Sequence, residues 1–166
     1  MTDLRFELLI KATIDQVWEV LGTVEGLKTF LSPDLNVVYE IGGPFEIFFD
    51  TSQPLGMQGS EGMKVIAYEP KKRIGFTWNN PPSLAEIREQ QTAVFIELLE
   101  VAEGVKVRLN HTGFASDEAW VKSYDYFKYA WGKIVMPRLL YACEVGSYPW
   151  REEVDLLLYE DRVLFV

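Results

Sequence analysis

The sequence predicts an α+β domain in which a curved antiparallel sheet wraps around a long C-terminal helix, with two short helices after the first strand. Three observations carry that expectation. Between residues 36 and 111 most segments are short runs of strand-forming residues separated by Gly, Pro and Asn turns. Past residue 117 the period becomes helical, with Trp120, Tyr124, Phe127, Trp131 and Ile134 spaced four, three, four and three apart. The helical segments that precede residue 36 are too short to make a bundle of their own.

The elements follow in order. Leu4 to Ala12 is apolar-rich and reads as the first strand. Thr13-Ile14-Asp15 supplies a cap for a short helix carrying Val17, Trp18, Val20 and Leu21, and Gly22 stops it. Val24 to Leu31 reads as a second short helix closed by Ser32-Pro33. Asn36 to Ile41 and Phe45 to Asp50 are strand candidates punctuated by Gly42-Gly43-Pro44. Thr51 to Gly62, rich in Gly, reads as a mobile loop. Met63 to Tyr68 and Ile74 to Trp78 form a hairpin across Glu69-Pro70-Lys71-Lys72-Arg73, where Pro70 fixes the first turn dihedral. Asn79-Asn80-Pro81-Pro82 ends it, and Ser83 to Gln91 is polar, a loop or a helical turn. Its run Glu86-Ile87-Arg88-Glu89 reads as a solvated face.

The clearest hairpin joins Thr92–Val101 to Val105–His111 through Ala102-Glu103-Gly104, read as a three-residue loop with Gly at the positive dihedral. Alternation puts Val105, Val107, Leu109 and His111 on one face of the return strand. The apolar row Phe95, Leu99 and Val101 then faces the convex side, where the tail strand Arg162 to Val166 or a second copy would cover it. The long helix starts at Asp117 and reaches Met136, roughly 30 Å, with a kink expected at Pro137. Gly146-Ser147-Tyr148-Pro149 ends it. The domain is therefore expected over residues 1–146, with 147–166 an extension too apolar to float free, packing on the domain or on a dimer partner.

Composition narrows the function. At 166 residues the chain suits one domain, and 48% hydrophobic with 25% charged residues is a globular profile. A net charge of −9 repels phosphate backbones and anionic bilayers, so nucleic acid and membrane are not expected partners. No apolar run has the length of a signal core or a membrane span, which makes the cytoplasm the expected location. The single cysteine, Cys143, excludes an internal disulfide and a thiolate cluster, and the single histidine excludes a histidine metal cluster. No nucleophile–base–acid arrangement and no phosphate-cradling Gly loop before a helix is visible, so no metal, cofactor or catalytic residue is expected.

The ordered set of motifs resembles a known family. Gly62 through Trp78, GMKVIAYEPKKRIGFTW, with Asn79-Asn80-Pro81-Pro82, looks like the central hairpin of the activator-of-heat-shock-protein-90-ATPase-like domain. Leu109 through Phe114, LNHTGF, is similar to its strand-end signature, and Glu118-Ala119-Trp120, Tyr126-Phe127 and Ala130-Trp131-Gly132 to its terminal helix. Gln16-Val17-Trp18 and Glu25-Gly26-Leu27 also fit. That family belongs to the START-related helix-grip superfamily, so the resemblance implies a helix-grip fold enclosing a pocket for hydrophobic ligands. It also implies links to chaperone regulation and stress response. Members commonly carry Trp where Phe30 stands, which implies a reshaped pocket edge beside the second helix; the tail from Glu144 onward extends past the family's usual end.

Ligand-lining candidates are Phe30, Met57, Met63, Trp78, His111, Tyr124, Phe127 and Trp131. Met57 and Met63 suit adaptable apolar contacts at a mouth near the Gly-rich loop, and Trp78 ends its strand beside them. The helical rings either fill the core or line the pocket, and the Tyr124 hydroxyl needs a partner if buried. His111 is either a satisfied core imidazole or a donor that orients a ligand, with Tyr124 as the hydroxyl that faces it. The expected function is binding of a small hydrophobic, aromatic or acyl, ligand without cofactor. Two rival readings are a cyclase- or aromatase-like enzyme using His111 and Tyr124, and a chaperone-regulating interaction domain.

Overall fold

A computed structural model describes residues 2–166. Strand β1 (Leu4–Ile10) is followed by helices α1 (Ile14–Leu21) and α2 (Val24–Leu27). Thr13 caps α1 in a reciprocal box with Gln16, and the Thr23 side chain accepts from the Gly26 amide to start α2. The second helix is one turn long, shorter than the segment to Leu31 that the sequence suggested.

Strands β2 (Leu35–Val37) and β3 (Phe45–Ile47) pair with each other in a small two-stranded sheet. The main sheet holds β4 (Val65–Glu69), β5 (Arg73–Trp78), β6 (Thr92–Val101), β7 (Gly104–Thr112), β1 and β8 (Val163–Phe165) in the order β4-β5-β6-β7-β1-β8. Every neighbouring pair is antiparallel. The β6–β7 turn is tighter than expected, because Gly104 itself pairs with Val101 and only Ala102 and Glu103 remain outside the ladder.

Alternation sorts the sheet into two faces. Leu4, Phe6, Leu8 and Ile10 from β1 and Val94, Ile96 and Leu98 from β6 point inward and are buried. Outward, Glu7 and Arg108 pair at 2.9 Å across β1 and β7. Phe95 lies over Gly75, where a Cβ would come within 2.7 Å of its ring, so the absent side chain makes room for it.

The terminal helix runs in three pieces: α3 (Glu118–Tyr129), a π-helical turn (Ala130–Val135) and α4 (Met136–Glu144). Just ahead of Pro137, where a kink is expected, the helix carries this π turn. Pro137 stands in the first turn of α4, where a missing amide costs little, and the wider π turn absorbs the mismatch just before it. Gly132 lets this turn approach β1, since a Cβ there would sit 3.0 Å from the Phe6 ring. Trp120, Phe127, Trp131, Met136, Leu139 and Leu140 face the sheet and are buried.

Residues after Gly146 return to the domain. The Tyr148 amide donates to the Thr29 carbonyl, and Trp150 Nε1 donates to the Lys28 carbonyl. Arg162 binds the Glu144 carboxylate through both terminal nitrogens, at 2.8 and 2.7 Å. A single helical turn, α5 (Leu157–Glu160), precedes β8. Contrary to the sequence reading, β8 does not lie over the convex row of Phe95, Leu99 and Val101; it joins the sheet edge beside β1. Phe165 packs on Phe6 there, and Leu99 on the convex side stays half exposed. No helix among the described residues is long and apolar enough to cross a membrane.

Candidate functional site

A cleft of about 490 Å³ opens where the C-terminal end of β5, the loop between β3 and β4, and the terminal helix meet. That volume lies within the range of small-molecule sites. Phe49 and Met57 come from the loop, Trp78 from β5, and Phe127, Trp131 and Ile134 from the helix. Trp78 and Trp131 stand with ring centroids 5.8 Å apart, and Phe49 meets Trp78 edge-on at 6.2 Å. The π turn matters locally, because it brings Ala130, Trp131, Ile134 and Val135 to the same wall.

Polar groups hold the frame. Arg88, only 4% exposed, lines the cleft from the connection between β5 and β6, just after a short 3-10 turn (Ala85–Ile87). One terminal nitrogen donates to the Asn80 carbonyl, and the other donates to the carbonyls of Gly56 and Gly59 at 2.7 Å each. Glu61 is its ionic partner at 3.4 Å and also accepts from the Gly59 amide. Asn80 in turn accepts from Ser123 Oγ on α3. These bonds tie the base of the Thr51–Gly62 loop to the strand end and the helix, so the loop read as mobile from its glycines is anchored at its base. The run Glu86–Glu89 is likewise not a solvated face, since Ile87 and Arg88 are buried.

His111 lies on the other side of Trp131. It is fully buried, and Trp131 Nε1 donates to its Nδ1 at 3.0 Å. With Nδ1 accepting, Nε2 carries the proton and donates to Thr92 Oγ1 at 2.6 Å, and Thr92 donates onward to the Trp78 carbonyl at 3.1 Å. The chain Trp131–His111–Thr92–Trp78 is complete. Burial pulls the imidazole pKa down to about 3, which keeps the ring neutral across the ordinary pH range.

The structure brings Met57, Trp78, Phe127 and Trp131 together around the cleft and places four other candidates elsewhere. Phe30 and Met63 are buried, 2% and 3% exposed, and line no part of this wall. His111 is sealed beneath Trp131. Tyr124 packs its ring edge on Phe114 at 5.2 Å and is not hydrogen-bonded to His111, whose ring nitrogens are taken by Trp131 and Thr92. The pairing of His111 with Tyr124 is therefore corrected to one with Trp131 and Thr92.

Sequence reasoning missed Phe49, Arg88 and Arg138, all of which line the cleft. Phe49 was legible as a strand-end aromatic beside a Gly-rich segment. Arg88 stood inside a charge-rich run, and nothing in that pattern distinguishes a buried guanidinium from a solvated one.

Comparison with known proteins bears on the family and the fold. The model of the family described as Activator of Hsp90 ATPase homolog 1-like protein matches residues 11–139. Among solved structures, protein MLL2253 from Mesorhizobium loti is 20% identical with a TM-score of 0.66, over 84% of this chain and 94% of that one. The Aha1 dimer from Colwellia psychrerythraea is 20% identical with a TM-score of 0.66, over 89% and 100%. CalU16 from Micromonospora echinospora is 14% identical with a TM-score of 0.65, over 96% and 81%. At such identities the likeness shows the shared α+β helix-grip fold. No curated protein matches the sequence.

Proposed function

The chain belongs to the Activator of Hsp90 ATPase homolog 1-like family, and on that premise we propose that it is a cytoplasmic domain that binds a small hydrophobic molecule, aromatic or acyl, without cofactor. The observation that carries the reading is the open cleft with Trp78, Phe127 and Trp131 on its inner walls and half-exposed Phe49 and Met57 at its rim. Apolar surface left exposed at the rim of a concavity gains about 25 cal/mol for each Å² that a ligand covers. A planar apolar molecule would slide between the Trp78 and Trp131 rings and the loop, with the Arg88 network holding the loop in place.

The cyclase-like alternative draws no support from the His111–Tyr124 pair, because both imidazole nitrogens are already engaged. A chaperone-regulating role or a homodimer rests on family description and on the dimeric relative alone. Titration with the neutral dye Nile red tests the binding reading. One saturable site per chain is expected, weakened in both Phe49→Ala and Met57→Ala. Dye binding absent, or unmoved by both substitutions, would count against the cleft; stimulation of a chaperone ATPase by dye-free protein would favour the interaction role.

A further inference from the structure

The binding reading leaves one cation at the cleft unexplained. Arg5, Arg73 and Arg108 reach carboxylates at 3.5, 2.5 and 2.9 Å, and buried Arg88 reaches Glu61. Arg138, half-buried on α4 and lining the cleft, has no carboxylate within 4.0 Å among the described residues. Its Nε is buried and without a hydrogen-bond partner. A chain with 25 acidic and 16 basic side chains has carboxylates to spare, so an unpaired guanidinium at this place is informative.

Arg138 is also held in position. Its guanidinium carbon stacks 4.7 Å from the Tyr148 ring and 5.1 Å from the Trp150 ring. Both rings are fixed in turn, through the Tyr148 amide on Thr29 and the Trp150 indole on Lys28. A stacked, pre-oriented guanidinium suits a planar carboxylate, which it can meet with two parallel bonds. Arg138 lies seven positions after Trp131, two helical turns, so the cation stands roughly 10 Å along the helix from the aromatic end of the cleft. The acidic group on the opposing rim, Asp50, does not compete for it. One of its oxygens accepts from the Ser52 amide and hydroxyl at 3.0 and 2.5 Å, and the other accepts from Gln53 Nε2 at 3.2 Å.

We propose that the ligand is an ionised aryl or acyl carboxylic acid, its apolar body against Trp78 and Trp131 and its carboxylate on Arg138. This rests on the cleft being the binding site, and it adds the anionic class of the ligand. A carboxylate would also give the guanidinium the partner the protein withholds.

The test uses a matched pair of probes, 4-biphenylcarboxylate and the neutral 4-biphenylcarboxamide, titrated calorimetrically at pH 7, with Nile red as a separate arm. The acid is expected to bind wild type about tenfold more tightly than the amide, equivalent to about 1.4 kcal/mol. In Arg138→Gln the ratio should fall to about one, and in Arg138→Lys, which keeps the charge without the planar fork, to an intermediate value. Equal binding of acid and amide by wild type, with Nile red still bound at the cleft, would overturn the carboxylate proposal and spare the binding reading. Loss of all three ligands would overturn both. If Arg138 serves only to staple the tail, Arg138→Gln should lower the melting temperature while the acid keeps its advantage, which would also overturn the proposal.

Discussion

Trp131 stands between two regions that share its indole and differ in everything else. On one side its N–H closes a chain through His111 and Thr92 to the Trp78 carbonyl, fully buried and with each nitrogen of the imidazole partnered. On the other side the same ring faces a cleft rimmed by half-exposed Phe49 and Met57. The contrast teaches where to look for a ligand. A finished polar chain has no donor left to offer, whereas an unfinished apolar wall loses nothing and gains burial when something covers it.

The largest effect is expected where the two regions meet. Trp131→Ala removes a buried ring and orphans the His111 Nδ1, so a loss of about 3–5 kcal/mol in chemical unfolding should accompany loss of Nile red binding. Little change in stability would break the comparison, since the ring would then belong to the cleft alone. Next, His111→Phe leaves the Trp131 N–H without its acceptor and should cost about 1–3 kcal/mol, with dye affinity of the folded protein preserved. A weakened dye affinity with stability intact would move His111 into the site.

The pH dependence sharpens the closed side. The folded imidazole titrates at about 3 and the unfolded one near its ordinary 6.5, so at intermediate pH the unfolded chain binds a proton that the folded chain does not. The neutral ring's contribution is therefore complete above about pH 6.5 and is lost as pH falls toward 3, at up to about 1.4 kcal/mol per pH unit. Urea melts at pH 7 and pH 5 should show wild type losing more stability than His111→Phe. Equal losses would mean that His111 is not held neutral. The smallest stability effect belongs to the open side: Phe49→Ala, at a half-exposed rim, should change stability by less than about 0.5 kcal/mol while weakening the dye. A large destabilisation there would make the rim part of the core.

Much of the fold was legible because its signals are local. Strand alternation put His111 on the inner face, and the four–three spacing put Trp120, Phe127 and Trp131 on one helical stripe, all buried as that stripe requires. The π turn was not legible beyond the presence of Pro137, since an inserted helical residue carries no composition of its own. Phe30 and Met63 went astray for another reason: an apolar residue fills a core or lines a cleft with the same chemistry, and only the packing around it decides. Tyr124 was assigned to His111 from a shared face, yet helix-to-strand register is set by long-range packing, which gave that role to Trp131. The destination of β8 was hidden for the same reason, because an apolar tail can cover a sheet face or extend a sheet edge equally well.

The most direct measurement follows the indole N–H signals of the tryptophans by nuclear magnetic resonance while neutral 4-biphenylcarboxamide is added. The signals of Trp78 and Trp131 should shift together and saturate, with those of Trp18 and Trp120 unmoved, because only the first pair lines the cleft. The Trp131 signal should also hold steady from pH 7 to pH 5 in the free protein, its acceptor remaining unprotonated. Saturable shifts at Trp18 or Trp120 with none at Trp78 and Trp131, or a Trp131 signal that titrates near pH 6.5, would contradict the account.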